Sequence, residues 1–354
     1  MKTPSLALAL SVAVAASIRA QEVRPAVPID PVTGILDAFG SHPVVALGEG
    51  AHGNEQGAAF RLALIRDPRF AATVNDIVVE CGNARYQDVM DRFVRGGEVS
   101  TEALRQVWQN TTQPHTLWDV PIYEEFFRAV REVNARLPRE RQLRVLLGDP
   151  PIDWDSVHSA EDFQRWISTP VADRDRSPAD IVQREVLAKN RRALIVYGDM
   201  HFNRKAPQPK PGEADGSNNL VDLLERAGAR VFTIHTATIR VDLTTLQPEI
   251  ASWPKPSLAL LRGTVLGAAD FTTYYPAPTL KGADGRPLFP RPMEQQFDAL
   301  LYLAPRSEIT QSRLSSALCA DPEYMKMRLG RIRLLDMKRD IDRLQEQCGP
   351  VAAK

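Results

Sequence analysis

Short, continuous apolar runs that break off into polar turns constrain this chain more than any other feature. Val44–Leu47 (VVAL) runs into Gly48-Glu49-Gly50-Ala51-His52-Gly53, and Asp76–Glu80 (DIVVE) ends in an acid. Leu143–Leu147 runs into Gly148-Asp149, and Ala193–Tyr197 into Gly198-Asp199-Met200-His201. Such runs are too short for buried helices and do not alternate, so they read as strands covered on both faces. Amphipathic segments separate them, at 55–65, 85–93, 101–108, 122–137 and 179–189. Strands alternating with helices predict an α/β fold with a largely parallel central sheet.

Further elements follow the same logic. A short helix is expected over 32–39, with Asn54 as the N-cap of the next one. Ser217 is the expected cap of a helix over 220–227, followed by a fifth strand, Arg230–His235. Strands near 258–261 and 299–303 flank a long loop, 267–292. The stretch 204–216, rich in Pro, Lys and Gly, reads as a mobile loop or lid. A helix over 321–347 closes the chain, with Pro322 in its first turn. The expected organisation is a segment 1–20, an α/β domain 32–310 and a helical extension 311–354.

The first twenty residues carry a basic start (Lys2) and an apolar stretch, Leu6–Ala16, of signal-peptide length but too short to span a bilayer. Cleavage near Ala16 or Ala20 would give a secreted or periplasmic protein without a transmembrane segment. The 44 basic and 44 acidic residues balance, which gives no electrostatic case for nucleic acid; a small-molecule substrate or ligand is the expected partner. Of three cysteines, Cys319 and Cys348 bracket the C-terminal helical region, and export permits a disulfide between them. Cys81 reads as a buried free thiol.

In open α/β sheets, ligands bind beyond the carboxyl ends of the strands. Parallel strands would bring Glu49, His52, Glu80, Asp149, Asp199 and His201 to one edge. His235, ending the fifth strand, belongs to the same edge. Two imidazoles and several carboxylates suit two chemistries: holding a divalent metal through Glu49, His52 and His201, or activating water by general base catalysis. The spacing leaves both open. Glu49 and His52 lie three apart on a glycine-rich turn rather than on a helix, so this is not an HExxH site, and there is no G-x-S-x-G, P-loop or G-x-G-x-x-G motif. Asp149 and His235 are expected to contact substrate. His115 and His158 are loop histidines that could line a cleft; His42 reads as surface. Trp118, Trp154, Tyr274 and Tyr275 are candidates for an apolar wall.

GEGAHG (48–53), VVECG (78–82), LLGD (146–149), YGDMH (197–201) and FDALLYLAP (297–305) together resemble the erythromycin esterase-like and ChaN-like (haem-uptake, Tiki/TraB-related) superfamily. The resemblance covers roughly 44–305. It implies an α/β fold with Glu/His motifs facing one cleft, and places Glu49, His52, Glu80 and His201 at the matched positions. Esterase relatives imply ester hydrolysis with a histidine base, Tiki relatives metal-dependent peptide hydrolysis, and ChaN haem binding. Two departures stand out: Gln56 occupies the position where esterase relatives carry Glu, and GDMH replaces their HNxH-like stretch. The combined expectation is an exported hydrolase of an ester or amide bond, with haem or metal binding without turnover as the alternative.

Overall fold

A computed structural model describes residues 23–205, 216–238, 242–275 and 291–349. The expected signal segment, most of the 204–216 loop and residues 276–290 of the long loop lie outside the described residues. The fold is α/β, built on one seven-stranded sheet. The strands are β1 (Val44–Gly48), β2 (Asp76–Asn83), β3 (Arg144–Asp149), β4 (Ala193–Tyr197), β5 (Val231–Ala237), β6 (Ser257–Leu260) and β7 (Ala299–Tyr302). Their order is β3-β2-β4-β1-β5-β7-β6. Every neighbouring pair is parallel except β6 with β7.

The continuous apolar runs have a direct cause. Successive strand residues point to opposite faces, and each face has its own core. Val45, Leu47, Ile77, Val79, Leu194 and Val196 pack with the helices Glu55–Arg66 and Pro121–Asn134. Val44, Ala46, Val78, Ala193, Ile195 and Tyr197 face Val182, Leu220 and Leu224 on the other side. All five residues of β1 are buried. Leu47 and Val79 are both in register with Val196, so Glu80 and the turns after β1 and β4 share one edge.

Three local expectations are corrected. β2 continues past Glu80 to Asn83, which puts Cys81 inside the strand; it is a buried free thiol, and burial pushes its pKa up. Asn219, not Ser217, is the N-cap residue of Leu220–Arg226, and the Ser217 hydroxyl accepts from the Asn219 N–H instead. The last helix is two, Pro322–Leu334 and Lys338–Cys348. Asp336 adopts a left-handed φ of 52°, Asp336 N donates to Arg333 O, and Met337 N donates to Ile332 O, a Schellman termination without glycine.

The C-terminal helices are fastened to the sheet domain. Arg328, fully buried, ion-pairs with Asp119 at 2.7 Å and donates to the Pro114 carbonyl at 2.8 Å. Tyr324 donates to the same aspartate at 2.6 Å. Cys319 and Cys348 are disulfide-bonded. No helix among the described residues is long and apolar enough to cross a membrane.

Candidate active site

The turns after β1 and β4, together with Glu80 of β2 and the end of β5, open into a cleft of about 700 Å³. Glycine makes the first turn feasible. Gly48 lies so close to Asp199 that a β-carbon there would overlap the carboxylate, and Gly50 sits at φ 68° against Thr236 and Thr238. Asn54 caps the helix Glu55–Arg66 and also donates to the Glu49 carbonyl at 2.9 Å, which locks the turn's exit.

Glu49 and His52 form a pair. Glu49 Oε2 lies 2.7 Å from His52 Nδ1, and its other oxygen lies 2.9 Å from Arg61 Nη2. With Nδ1 fixed, Nε2 faces inward, 3.8 Å from Glu80 Oε2. Trp118 packs edge-on against the ring with centroids 4.7 Å apart. Burial opposes protonation of His52, but the charges of Glu80 and Glu49 outweigh it and raise its pKa above the ordinary value.

Glu80 is the hub. Gly198 N donates to Oε2 at 2.8 Å; Arg174 Nη2 lies 2.5 Å and His201 Nε2 3.4 Å from Oε1. Burial alone would raise its pKa; the adjoining His52, His201 and Arg174 charges hold it well below the usual carboxylate range. His201 mirrors His52: its Nδ1 lies 2.8 Å from Asp175 Oδ1. Burial disfavours its charge, but the hydrogen bonds to Asp175 and Glu80 raise its pKa to about 10. At neutral pH His201 is therefore an imidazolium, not a base.

Asp149 stands behind this group. Its carboxylate accepts from Thr112 N and Thr112 Oγ1, both at 2.6 Å, and lies 3.7 Å from Arg174 Nε. Burial raises its pKa to about 7, against the pull of Arg174 and Thr112. It supports Arg174 and is not among the residues lining the cleft. His235 does line it, with Nδ1 2.8 Å from Asp199 Oδ1. Tyr274 and Tyr275 pack against His235. His115 also faces the cleft; burial, then the neighbouring Arg328, Arg343 and Arg174 charges working against Asp340, leave its pKa at about 4, a neutral ring. His158 is exposed and does not line the cleft, and Trp154 stacks on Phe163 instead.

Sequence reasoning missed Arg174 and Asp175. Their signal was the charged run Asp173-Arg174-Asp175-Arg176 in a connection between helices. It also missed Arg61 and Tyr123, which look like ordinary helix residues, and the contribution of the final helix, whose Asp340, Arg343 and Gln347 line the cleft.

The metal set does not fit. Among the described residues, no group of three His, Cys, Asp or Glu side chains is arranged to hold a metal ion. The Nδ1 atoms of both histidines are committed to carboxylates, and their Nε2 atoms face a glutamate already paired with a guanidinium. A cation there would sit against Arg174 and the charged His201.

No known family and no curated protein matches the chain by sequence. Solved structures do. A succinoglycan biosynthesis protein shares the fold with a TM-score of 0.56 at 12% identity, over 82% of this chain and 96% of that one. An erythromycin esterase variant in its open conformation matches with a TM-score of 0.48 at 13% identity, over 80% and 94%. Haem-bound ChaN of Campylobacter jejuni matches with a TM-score of 0.38 at 13% identity, over 61% and 89%. Both groups named by the motif resemblance are among the matched structures; at 12% identity the likeness to the succinoglycan biosynthesis protein is one of fold.

Proposed function

We propose that this protein is an exported hydrolase that cleaves an ester or amide bond with water activated by His52. The observation that carries the reading is the Glu49–His52 pair: Nδ1 is fixed at 2.7 Å, and Nε2 lies 3.8 Å from Glu80 Oε2 in a ring that lines the cleft. Glu49 sets the tautomer and strengthens the base, as a buried carboxylate does for a catalytic histidine. Arg174 and the His201 imidazolium, both paired with Glu80, supply positive charge where the oxyanion of a tetrahedral intermediate develops. Asp149 braces Arg174 from behind. The α/β part carries this site, and Gln311, Asp340, Arg343 and Gln347 of the C-terminal extension close one wall of it. The disulfide supports an oxidising, extracytoplasmic setting.

The test is an ester and peptide panel on wild type and His52→Ala. Removing the base is expected to cost roughly 10²–10⁴-fold in turnover, with Glu49→Gln intermediate. Turnover that survives His52→Ala refutes the reading. A Soret shift on adding haem, with no hydrolysis of any panel member, favours the binding alternative.

A further inference from the structure

Glu49–His52 and Asp175–His201 are two of three carboxylate-held imidazoles in the cleft. The third is His235, in β5. Its Nδ1 lies 2.8 Å from Asp199 Oδ1 and 3.1 Å from Tyr275 Oη, and the residue is 5% exposed. Asp199 is anchored independently of the ring: Thr236 N donates to Oδ1 at 2.8 Å and Gly50 N to Oδ2 at 2.5 Å. The aspartate therefore couples His235 to the turn that carries His52. The roles assigned above give His235 nothing to do.

Its place in the sheet suggests a task. The order β2-β4-β1-β5 puts Glu80 in β2, His201 and His52 in the turns after β4 and β1, and His235 in β5 on the opposite flank of β1. A carbonyl lying over the turn after β1 has the water-activating pair on its β2 side and His235 on its β5 side. A leaving group placed on the β5 side of the tetrahedral intermediate lies beside His235, which lines the cleft there. His201 is poorly suited to releasing a proton, because Asp175 and Glu80 both hold it.

We propose that His235 is the catalytic acid that protonates the leaving oxygen of an ester of a weakly acidic alcohol, with Tyr274 and Tyr275 as the wall against which the alcohol portion lies. The inference rests on the hydrolase reading. In the step, water oxygen bonds to the carbonyl carbon and its proton passes to His52 Nε2. The intermediate then collapses: the carbon–oxygen bond to the alcohol breaks, its electron pair goes to the alcohol oxygen, and that oxygen takes a proton from His235 Nε2. Nδ1–H stays on Asp199 throughout. His235 regains a proton from solvent and His52 returns one, so ester and water give acid and alcohol.

Wild type, His52→Ala, His235→Asn and His235→Gln are compared on 4-nitrophenyl acetate, phenyl acetate and ethyl acetate, a series of rising alcohol pKa. The Gln variant keeps an amide donor for Asp199, and circular dichroism melts check folding of both. Nitrophenolate departs without help, so the His235 variants are expected to lose under tenfold on that ester. On ethyl acetate they should lose about 10²–10³-fold, the range for general acid catalysis, with a steeper dependence of rate on alcohol pKa. His52→Ala should lose activity on all three. An equal loss across the series in both folded His235 variants overturns the inference and leaves the hydrolase reading intact. Activity that survives His52→Ala overturns both.

Discussion

Asp175→Asn tests the electrostatics of the site without dismantling it. Asp175 Oδ1 accepts from Leu220 N at 2.8 Å as well as pairing with His201 Nδ1 at 2.8 Å. Asparagine keeps an acceptor oxygen for both and removes only the charge. A hydrogen bond to a charged group contributes about 1.5–3 kcal/mol and a neutral one about 0.5–1.5, so the substitution takes roughly 1–1.5 kcal/mol from the imidazolium. At about 1.4 kcal/mol per pKa unit, the His201 pKa should fall by about one unit from its value near 10. The folded-state pKa lies above that of the unfolded chain, so this charge stabilises the fold fully below about pH 6.5. The contribution is lost as pH rises through the folded-state pKa. Wild type and variant should therefore differ by roughly 1–1.5 kcal/mol in urea unfolding at pH 6–7 and converge above pH 10. The alkaline limb of kcat/KM should move down by the same unit. Direct titration of the His201 ring by NMR reads the shift independently of activity. An unmoved or raised midpoint refutes the account of how His201 is held charged.

Three further outcomes follow from the packing. Gly48→Ala drives a methyl into the Asp199 carboxylate and should cost about 1–3 kcal/mol in thermal unfolding, with activity falling more than stability explains; wild-type behaviour in both would mean the turn is not sterically constrained. Arg328→Ala leaves Asp119 charged, buried and short of its partner, at a cost of about 3–5 kcal/mol measurable by denaturant titration, whereas a loss under 1 kcal/mol would show that the tie is dispensable. Cys319→Ser with Cys348→Ser removes a cross-link spanning 29 residues and should cost about 3–4 kcal/mol in the chain-entropy view; a melting temperature unchanged from wild type and insensitive to reductant would contradict it.

The fold was legible because the strands are covered on both faces. Two separate cores demand that residues such as Val44 and Val45 both be apolar, and that leaves an unbroken run in the sequence. Strand ends were legible for a related reason: Glu49 and the turns carrying His52 and His201 follow directly on buried apolar runs, and Asp149 closes one, so the break in each run marks the end of its strand. Asp336 shows the limit. Nothing in Leu335-Asp336-Met337 resembles a helix stop, and the break comes from a left-handed aspartate that satisfies the same carbonyls a glycine would.

The sequence by itself determined that carboxylates and imidazoles gather at one sheet edge, because parallel strands of similar length must deliver their following turns to the same side. It left open whether those groups bind a metal or move protons, since spacing along the chain says nothing about which atom faces which. Only the tertiary structure showed which atoms meet, by bringing Arg174 and Asp175 from a charged connection onto Glu80 and His201. A guanidinium on the shared glutamate, and a carboxylate on each Nδ1, turn a candidate ligand set into paired charges, with both Nε2 atoms turned toward Glu80.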